Sequence, residues 1–226
     1  MPAYDPDAPL ISLHIPKAAG TSFLGILRSW FPDGRAKTHY RDGDRPPHRH
    51  VLAGGLCIHG HFNSRRGAGV QAYYPEARQF ITILRDPFDR FVSQWVFLNQ
   101  EPDFETWIRQ RAEEQAEARN ARSFVWQLPR PLAEQDFDSQ VAELFVFVGV
   151  LETFAESVAA LAVLLGKPMV TPPRENVGVS GRAADLAGWR PFYERHFADE
   201  CDIYDRARRH NAWMIREALG RAGDIR

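Results

Sequence analysis

The chain has 226 residues, 28 Lys and Arg against 29 Asp and Glu, with 44% hydrophobic and 25% charged residues. That near-neutral balance excludes a general nucleic-acid binder, which carries a basic excess, and the apolar fraction excludes a wholly disordered chain. Two cysteines, Cys57 and Cys201, exclude a disulfide-rich scaffold, and no apolar run reaches the roughly 20 residues of a membrane helix.

In chain order, the acidic, proline-rich start from Met1 to Pro9 lacks the charged and apolar stretches of a signal peptide, so a cytoplasmic protein is expected. Leu10 to Ile15 is a short apolar run closed by Pro16 and predicts a buried strand. A turn over Pro16 to Ser22 follows. Phe23, Ile26, Leu27, Trp30 and Phe31 then fall on one helical face, and Pro32-Asp33-Gly34 ends the helix. Arg35 to His50 is polar and reads as a loop. Val51 to Ile58 is a candidate strand leading into His59-Gly60-His61. Phe80 to Leu84 predicts a strand. Asp86-Pro87 supplies a cap and a first-turn proline for a helix through Phe97. Asp103 to Gln127 is helical in composition, Phe145 to Val150 predicts a third strong strand, and Glu152 to Leu165 a helix closed by Gly166. Thr171 to Arg182 reads as loop, and Tyr193 to Ala218 as helix with a break near Ala198-Asp199.

Strands alternating with helices predict an α/β fold: a three-layer α/β/α sandwich around a central parallel sheet. At this size one domain over 1–226 is expected, with 98–140 as a helical insertion. Ligands of such sheets sit at the carboxyl ends of the strands, which directs attention to the turns after Ile15, Ile58 and Leu84.

The first turn joins a strand to a helix through Lys17, Ala18, Ala19, Gly20, Thr21 and Ser22. Backbone N–H groups and the helix dipole make such a turn an anion site, and Lys17 adds a point charge. Lysine is scarce here, only Lys17, Lys37 and Lys167. The order of residues differs from the ATPase loop, because the lysine precedes the glycine. The other reading is an ordinary turn with a capping threonine. At the second turn, Arg85 ends a strand while Arg90 and Ser93 share a helix side. Arg85 and Ser93 are candidates for one anion. Arg90 is expected to pair with Asp86 or Asp89 at the surface.

HIPKAAGTSF (His14 to Phe23) resembles the 5′-phosphosulfate loop of sulfotransferases that use 3′-phosphoadenosine 5′-phosphosulfate (PAPS), and LRDPFDRFVSQW (Leu84 to Trp95) resembles their 3′-phosphate motif. The likeness is to the Golgi type of carbohydrate sulfotransferase, including uronyl and heparan-sulfate 2-O-sulfotransferases, and its soluble bacterial relatives. FVFVGVLETF (Phe145 to Phe154) and CDIYDRAR (Cys201 to Arg208) resemble later elements of that group. The resemblance implies a P-loop-like sulfotransferase domain. Residues 17–22 would cradle the 5′ phosphosulfate, and Arg85 and Ser93 would hold the 3′-phosphate. An arginine of the Arg174 to Arg182 loop, Arg182 by choice, would close over it. Ala18 departs from the pattern by lacking a hydroxyl, and the membrane anchor of the Golgi enzymes is not found.

At the third turn, His59 and His61 point to one side of an extended chain. Transfer to an alcohol needs a base, and histidine titrates in the right range. The resemblance makes His61 the base and His59 its assistant, with Lys17 stabilising the leaving group. Both also suit a structural role. His48, His50, Cys57, His59 and His61 include zinc-ligand types, but their spacing matches no standard site, and no metal is expected. His14, inside the first strand, is expected in the core or beside the site. The acceptor is expected to be a hydroxylated metabolite or an anionic glycan, attracted by Arg35, Lys37, Arg41, Arg45 and Arg49. Trp107, Phe124 and Trp126 are candidates for stacking on a sugar, though aromatics on a helix face are more often core. A metabolite kinase, or a non-catalytic nucleotide- or metal-binding module, are the alternative readings.

Overall fold

The computed structural model describes residues 2–42, 45–117, 120–172 and 184–223. Arg174, Arg182 and most of the loop predicted around them lie outside the described residues. Five strands form one sheet: β1 (Leu10–Leu13), β2 (Ala36–His39), β3 (Cys57–Gly60), β4 (Phe80–Leu84) and β5 (Phe145–Val150). Their spatial order is β2-β3-β1-β4-β5, and each pairing is parallel. Every residue of β1, β3, β4 and β5 is buried, as expected when helices cover both faces of a sheet.

The chain steps outward from β1 to β2, returns to β3 beside β1, then crosses to β4 and β5 on the other side. This reversal at β1 opens a crevice at the carboxyl ends of β3, β1 and β4. All three turns singled out from the sequence lie there.

Helix α1 (Gly20–Trp30) buries Phe23, Ile26, Leu27 and Trp30 against the sheet. The short α2 (Val70–Tyr73) precedes β4. In α3 (Pro87–Phe97), Asp86 accepts from the Asp89 amide at 2.9 Å and Pro87 occupies the first turn. Asp103 and Asp136 cap α4 (Phe104–Ala116) and α5 (Phe137–Glu143) in the same way. After β5 come α6 (Phe154–Leu165), α7 (Arg190–His196) and α8 (Ala198–Gly223). The break near Ala198 falls at Phe197, buried between α7 and α8.

The main core fills both sides of the sheet. A second cluster joins α3, α4 and α7 through Phe88, Phe91, Trp95, Phe104, Trp107 and Tyr193. Three expectations need correction. The loop predicted over 35–50 contains β2, an edge strand whose one fully buried side chain is His39. The strand predicted from Val51 begins only at Cys57, because Gly54-Gly55 makes a turn and Val51 is 90% exposed. The helix predicted through Gln127 stops at Ala116, and Phe124–Gln127 is a separate 3-10 turn.

Candidate active site

The turn after β1 is shaped by its backbone. Lys17 and Ala19 both adopt left-handed conformations, at φ 69° and 56°. Neither is glycine, so each costs about 1–2 kcal/mol. The Ala18 amide closes the turn onto the Ile15 carbonyl at 3.2 Å, leaving a nest bounded by the start of α1. The leading amides of α1 lie beside it without intrahelical partners. Ala18 is buried (2% exposed), so this position contributes backbone to the turn and its methyl to the core. Thr21 is exposed and Ser22 is buried. Ala19 caps the helix without a side-chain bond, which removes the capping-threonine reading. The Lys17 ammonium lies 4.3 Å from the Phe97 ring centroid. Burial first, and then Arg85, lower its pKa.

Arg85 brings the second motif to the first: its Nη1 donates to the Lys17 carbonyl at 3.2 Å. Burial lowers the Arg85 pKa, opposed by Asp89, Glu152 and Asp86. Ser93 is buried on α3 and has no hydrogen bond to Arg85. The surface pairing expected of Arg90 is wrong. Arg90 is 4% exposed and donates to Glu200 at 2.8 Å, an oxygen that also accepts from the Tyr193 hydroxyl. Asp86 and Asp89 are instead bridged by Arg190, with three contacts of 2.9–3.0 Å. Glu152 Oε1 accepts from the Asp86 amide, and its other oxygen accepts from the Tyr204 hydroxyl. These bonds fix the start of α3 and hence the place of Arg85.

Three histidines meet where β1 and β3 end. His14 stacks on His59 with centroids 4.9 Å apart and leans on His61 at 4.4 Å. His14 is therefore part of the site. Its Nδ1 lies 2.8 Å from the Tyr40 hydroxyl, and the Tyr40 ring meets His61 edge-on at 4.8 Å. Ser12 Oγ holds His59 Nδ1 at 2.8 Å, across a β1–β3 register pair. His59 is 1% exposed, and its Nε2 makes no hydrogen bond among the described residues. Gly60 is required between the two histidines, because a Cβ there would overlap the His39 carbonyl of β2. Gly20 is required for a related reason: a Cβ there would overlap the His14 ring.

Burial pushes the histidine pKa values down, to about 2 for His14, about 3 for His59 and about 4 for His61. His61 nevertheless faces solvent, and its ring makes no hydrogen bond to the described residues. A neutral imidazole open to a cleft can accept a proton, whereas His59 is buried and His14 Nδ1 is engaged by Tyr40. Burial raises the Tyr40 pKa, so its hydroxyl stays protonated.

His61 borders a cleft of about 620 Å³ whose walls include Tyr40, Arg41, Arg66, Tyr73 and Arg122. Among the described residues those walls hold three arginines and no carboxylate. Of the basic residues proposed to draw an acidic acceptor, Arg41 reaches the cleft. Arg35, Lys37, Arg45 and Arg49 do not line it, and Arg49 faces Glu76 at 3.7 Å. Trp107 and Phe124 are core residues, and Trp126 packs under Arg65. Tyr40, Arg66 and Arg122 were not singled out in the sequence. Tyr40 directly follows the unrecognised strand β2, and the other two lie in loops without a motif. Among the described residues no three His, Cys, Asp or Glu side chains are gathered as metal ligands are.

The crevice at the sheet's switch point thus joins a left-handed turn at one strand end to a group of histidines at the next. Residues 3–167 match the sulfotransferase family. The chain belongs to that family. A search of curated proteins finds no match. The fold is similar to that of mouse sulfotransferase SULT7A1 complexed with PAP (TM-score 0.56, 12% identity, 93% of this chain and 90% of that one). It can also be superposed on a sulfotransferase from Alicyclobacillus acidocaldarius (TM-score 0.47, 13% identity, 88% and 95% covered).

Proposed function

We propose that the chain moves the sulfuryl group of PAPS onto a hydroxyl of a carbohydrate or other hydroxylated metabolite, with His61 as base. The observation that carries this reading is the placement of a neutral, solvent-facing His61 beside a roomy cleft, next to a strained anion nest. The residues present fit PAPS. The nest at Lys17 and Ala19 suits the 5′ phosphosulfate, and Arg85, hydrogen-bonded to the Lys17 carbonyl, lies close enough to serve a second phosphate. When bound, PAPS supplies an activated sulfuryl group.

A ring nitrogen of His61 takes the proton of the acceptor hydroxyl as its oxygen attacks sulfur. Lys17 and the α1 N-terminus hold the negative charge that the leaving phosphate gains. Thr21 and Ser22 flank the nest and help orient its occupant. His59, fixed by Ser12, stacks on His14, which in turn leans on His61. Ser93 and Arg182 complete the 3′-phosphate site in this reading. Residues 98–140 act on the acceptor side, a role supported by Ala121, Arg122 and Gln127 in the cleft wall. The arginines there favour an acceptor that carries an acidic group. The reaction takes place in the cytoplasm.

The test is His61→Ala. Turnover should fall by about 10²–10⁴-fold while nucleotide affinity is nearly kept. Equal loss of both would make His61 a structural residue and remove it as the base.

A further inference from the structure

The carboxyl end of α3 is tied down from several sides. The Leu98 amide donates to the Gln94 carbonyl, the Asn99 amide to Val96 and the Gln100 amide to Trp95, each at 3.1 Å. Val96 and Leu98 pack against the second hydrophobic cluster. Phe97, between them, joins neither cluster and is 66% exposed. Burial of apolar surface is what normally places a phenylalanine, and here it contributes little. The ring instead meets the Lys17 ammonium, 4.3 Å from its centroid.

A second lysine makes the same contact for a different reason. Lys167 lies 4.5 Å from the Phe31 ring, but Phe31 is a core residue at 3% exposure, so packing accounts for that ring. Packing does not account for Phe97. What Phe97 holds is the lysine of the nest, a flexible four-carbon chain whose charge no described carboxylate supports. Gln94, one turn earlier on the same side of α3, borders the cleft beside His61. The ring therefore stands where the nest and the cleft meet.

We propose that Phe97 is a positioning residue: the face of its ring backs the Lys17 ammonium and holds it ready for the phosphate end of the donor. This rests on the reading of Lys17 as a donor-binding residue. A ring face attracts a cation through its quadrupole and leaves the N–H groups turned away from it free to donate. An ammonium already held in place loses less side-chain freedom when the donor arrives. The ring thus strengthens binding without touching the nucleotide.

The probe is 3′-phosphoadenosine 5′-phosphate, whose affinity calorimetry measures without an acceptor. Phe97→Leu keeps an apolar side chain and removes the ring, whereas Phe97→Trp keeps a ring face. Phe97→Leu should weaken binding by about 2–5-fold, and Phe97→Trp should not weaken it. In a Lys17→Met background, Phe97→Leu should change nothing further. The contact itself is read by NMR of protein carrying carbon-13 at lysine Cε. Only three side chains give signals, and Lys17→Arg assigns the one that matters. The ring current should displace the Lys17 Hε signal upfield of that of Lys37, and Phe97→Leu should abolish the displacement. An undisplaced Lys17 signal, or a loss of affinity that is the same with and without Lys17, overturns the proposal. If Lys17→Met weakens binding while Phe97→Leu does not, Phe97 alone loses its role. If Lys17→Met binds as tightly as the unmodified chain, the donor-site reading of Lys17 falls and the role of Phe97 falls with it.

Discussion

Gly20→Ala is a one-methyl change with a calculable consequence. The added Cβ would overlap three atoms of the His14 ring, Nε2, Cδ2 and Cε1. The backbone of α1 is held by Phe23, Leu27 and Trp30 in the core, so the ring must give way. Displacing it breaks the bond to Tyr40 at 2.8 Å, worth about 1 kcal/mol. It also disturbs the ring contacts at 4.9 and 4.4 Å, each worth about 0.5–1.5 kcal/mol. Alanine returns at most about 1 kcal/mol of backbone entropy. The net destabilisation should be about 2 kcal/mol, a midpoint lowered by about 4–8 °C for a chain of this size. Thermal and urea unfolding of four proteins measure it: unmodified, Gly20→Ala, His14→Ala and the double variant. With the ring removed, Gly20→Ala should cost nothing further, giving a coupling energy close to the single-variant loss. Equal losses in both backgrounds would refute the claim that His14 is what demands glycine at this position.

Two further outcomes follow from buried charge and buried imidazole. Glu200→Ala leaves Arg90 buried and unpaired and should cost about 3–5 kcal/mol, whereas Arg190→Ala, at a half-exposed bridge, should cost about 1 kcal/mol or less; comparable losses in urea unfolding would contradict the ranking. His59 is held neutral to about pH 3, while the unfolded chain protonates it near the ordinary histidine value. The unfolded state therefore binds the extra proton below about pH 6.5, and stability present above that pH is lost as pH falls. At pH 4.5 His59 alone should cost on the order of 2–3 kcal/mol. Unfolding of the unmodified chain and of His59→Asn, followed from pH 7 to 4.5, checks the sign, and a variant just as acid-sensitive as its parent would contradict it.

The strands that could be read from sequence are those with continuous apolar runs, LISL, FITIL and FVFVGV, because a sheet covered on both faces demands such runs. The sheet edge escaped for the opposite reason. Ala36–His39 buries one side chain fully, so its four residues carry no periodic signal. Helix α5 was readable in principle, since Asp136 and Ser139 form a cap at the expected spacing, but seven residues are too few for an amphipathic pattern. The left-handed turn at Lys17 and Ala19 carries no glycine at either position, so its shape was invisible although its chemistry was not. Long-range partners were the least legible. Arg90 finds Glu200 and Asp86 finds Arg190, each more than a hundred residues away, where local spacing had suggested neighbours. His14 is expected from the sequence in the core or beside the site, and only the register of β1 on β3 brings it against His59 and His61.

Nucleotide recognition tests the central claim most directly. Thermal unfolding would be followed with 3′-phosphoadenosine 5′-phosphate, AMP, ADP, or ATP with Mg²⁺, using the unmodified chain and Arg85→Ala. At 100 times its dissociation constant the 3′-phosphorylated nucleotide should raise the midpoint by about 5–10 °C. Arg85→Ala should shrink that shift, and the other nucleotides should do little. A shift with ATP and Mg²⁺ alone, or a response to the 3′-phosphorylated nucleotide that survives Arg85→Ala undiminished, would contradict the assignment of the nest and Arg85 to a PAPS site.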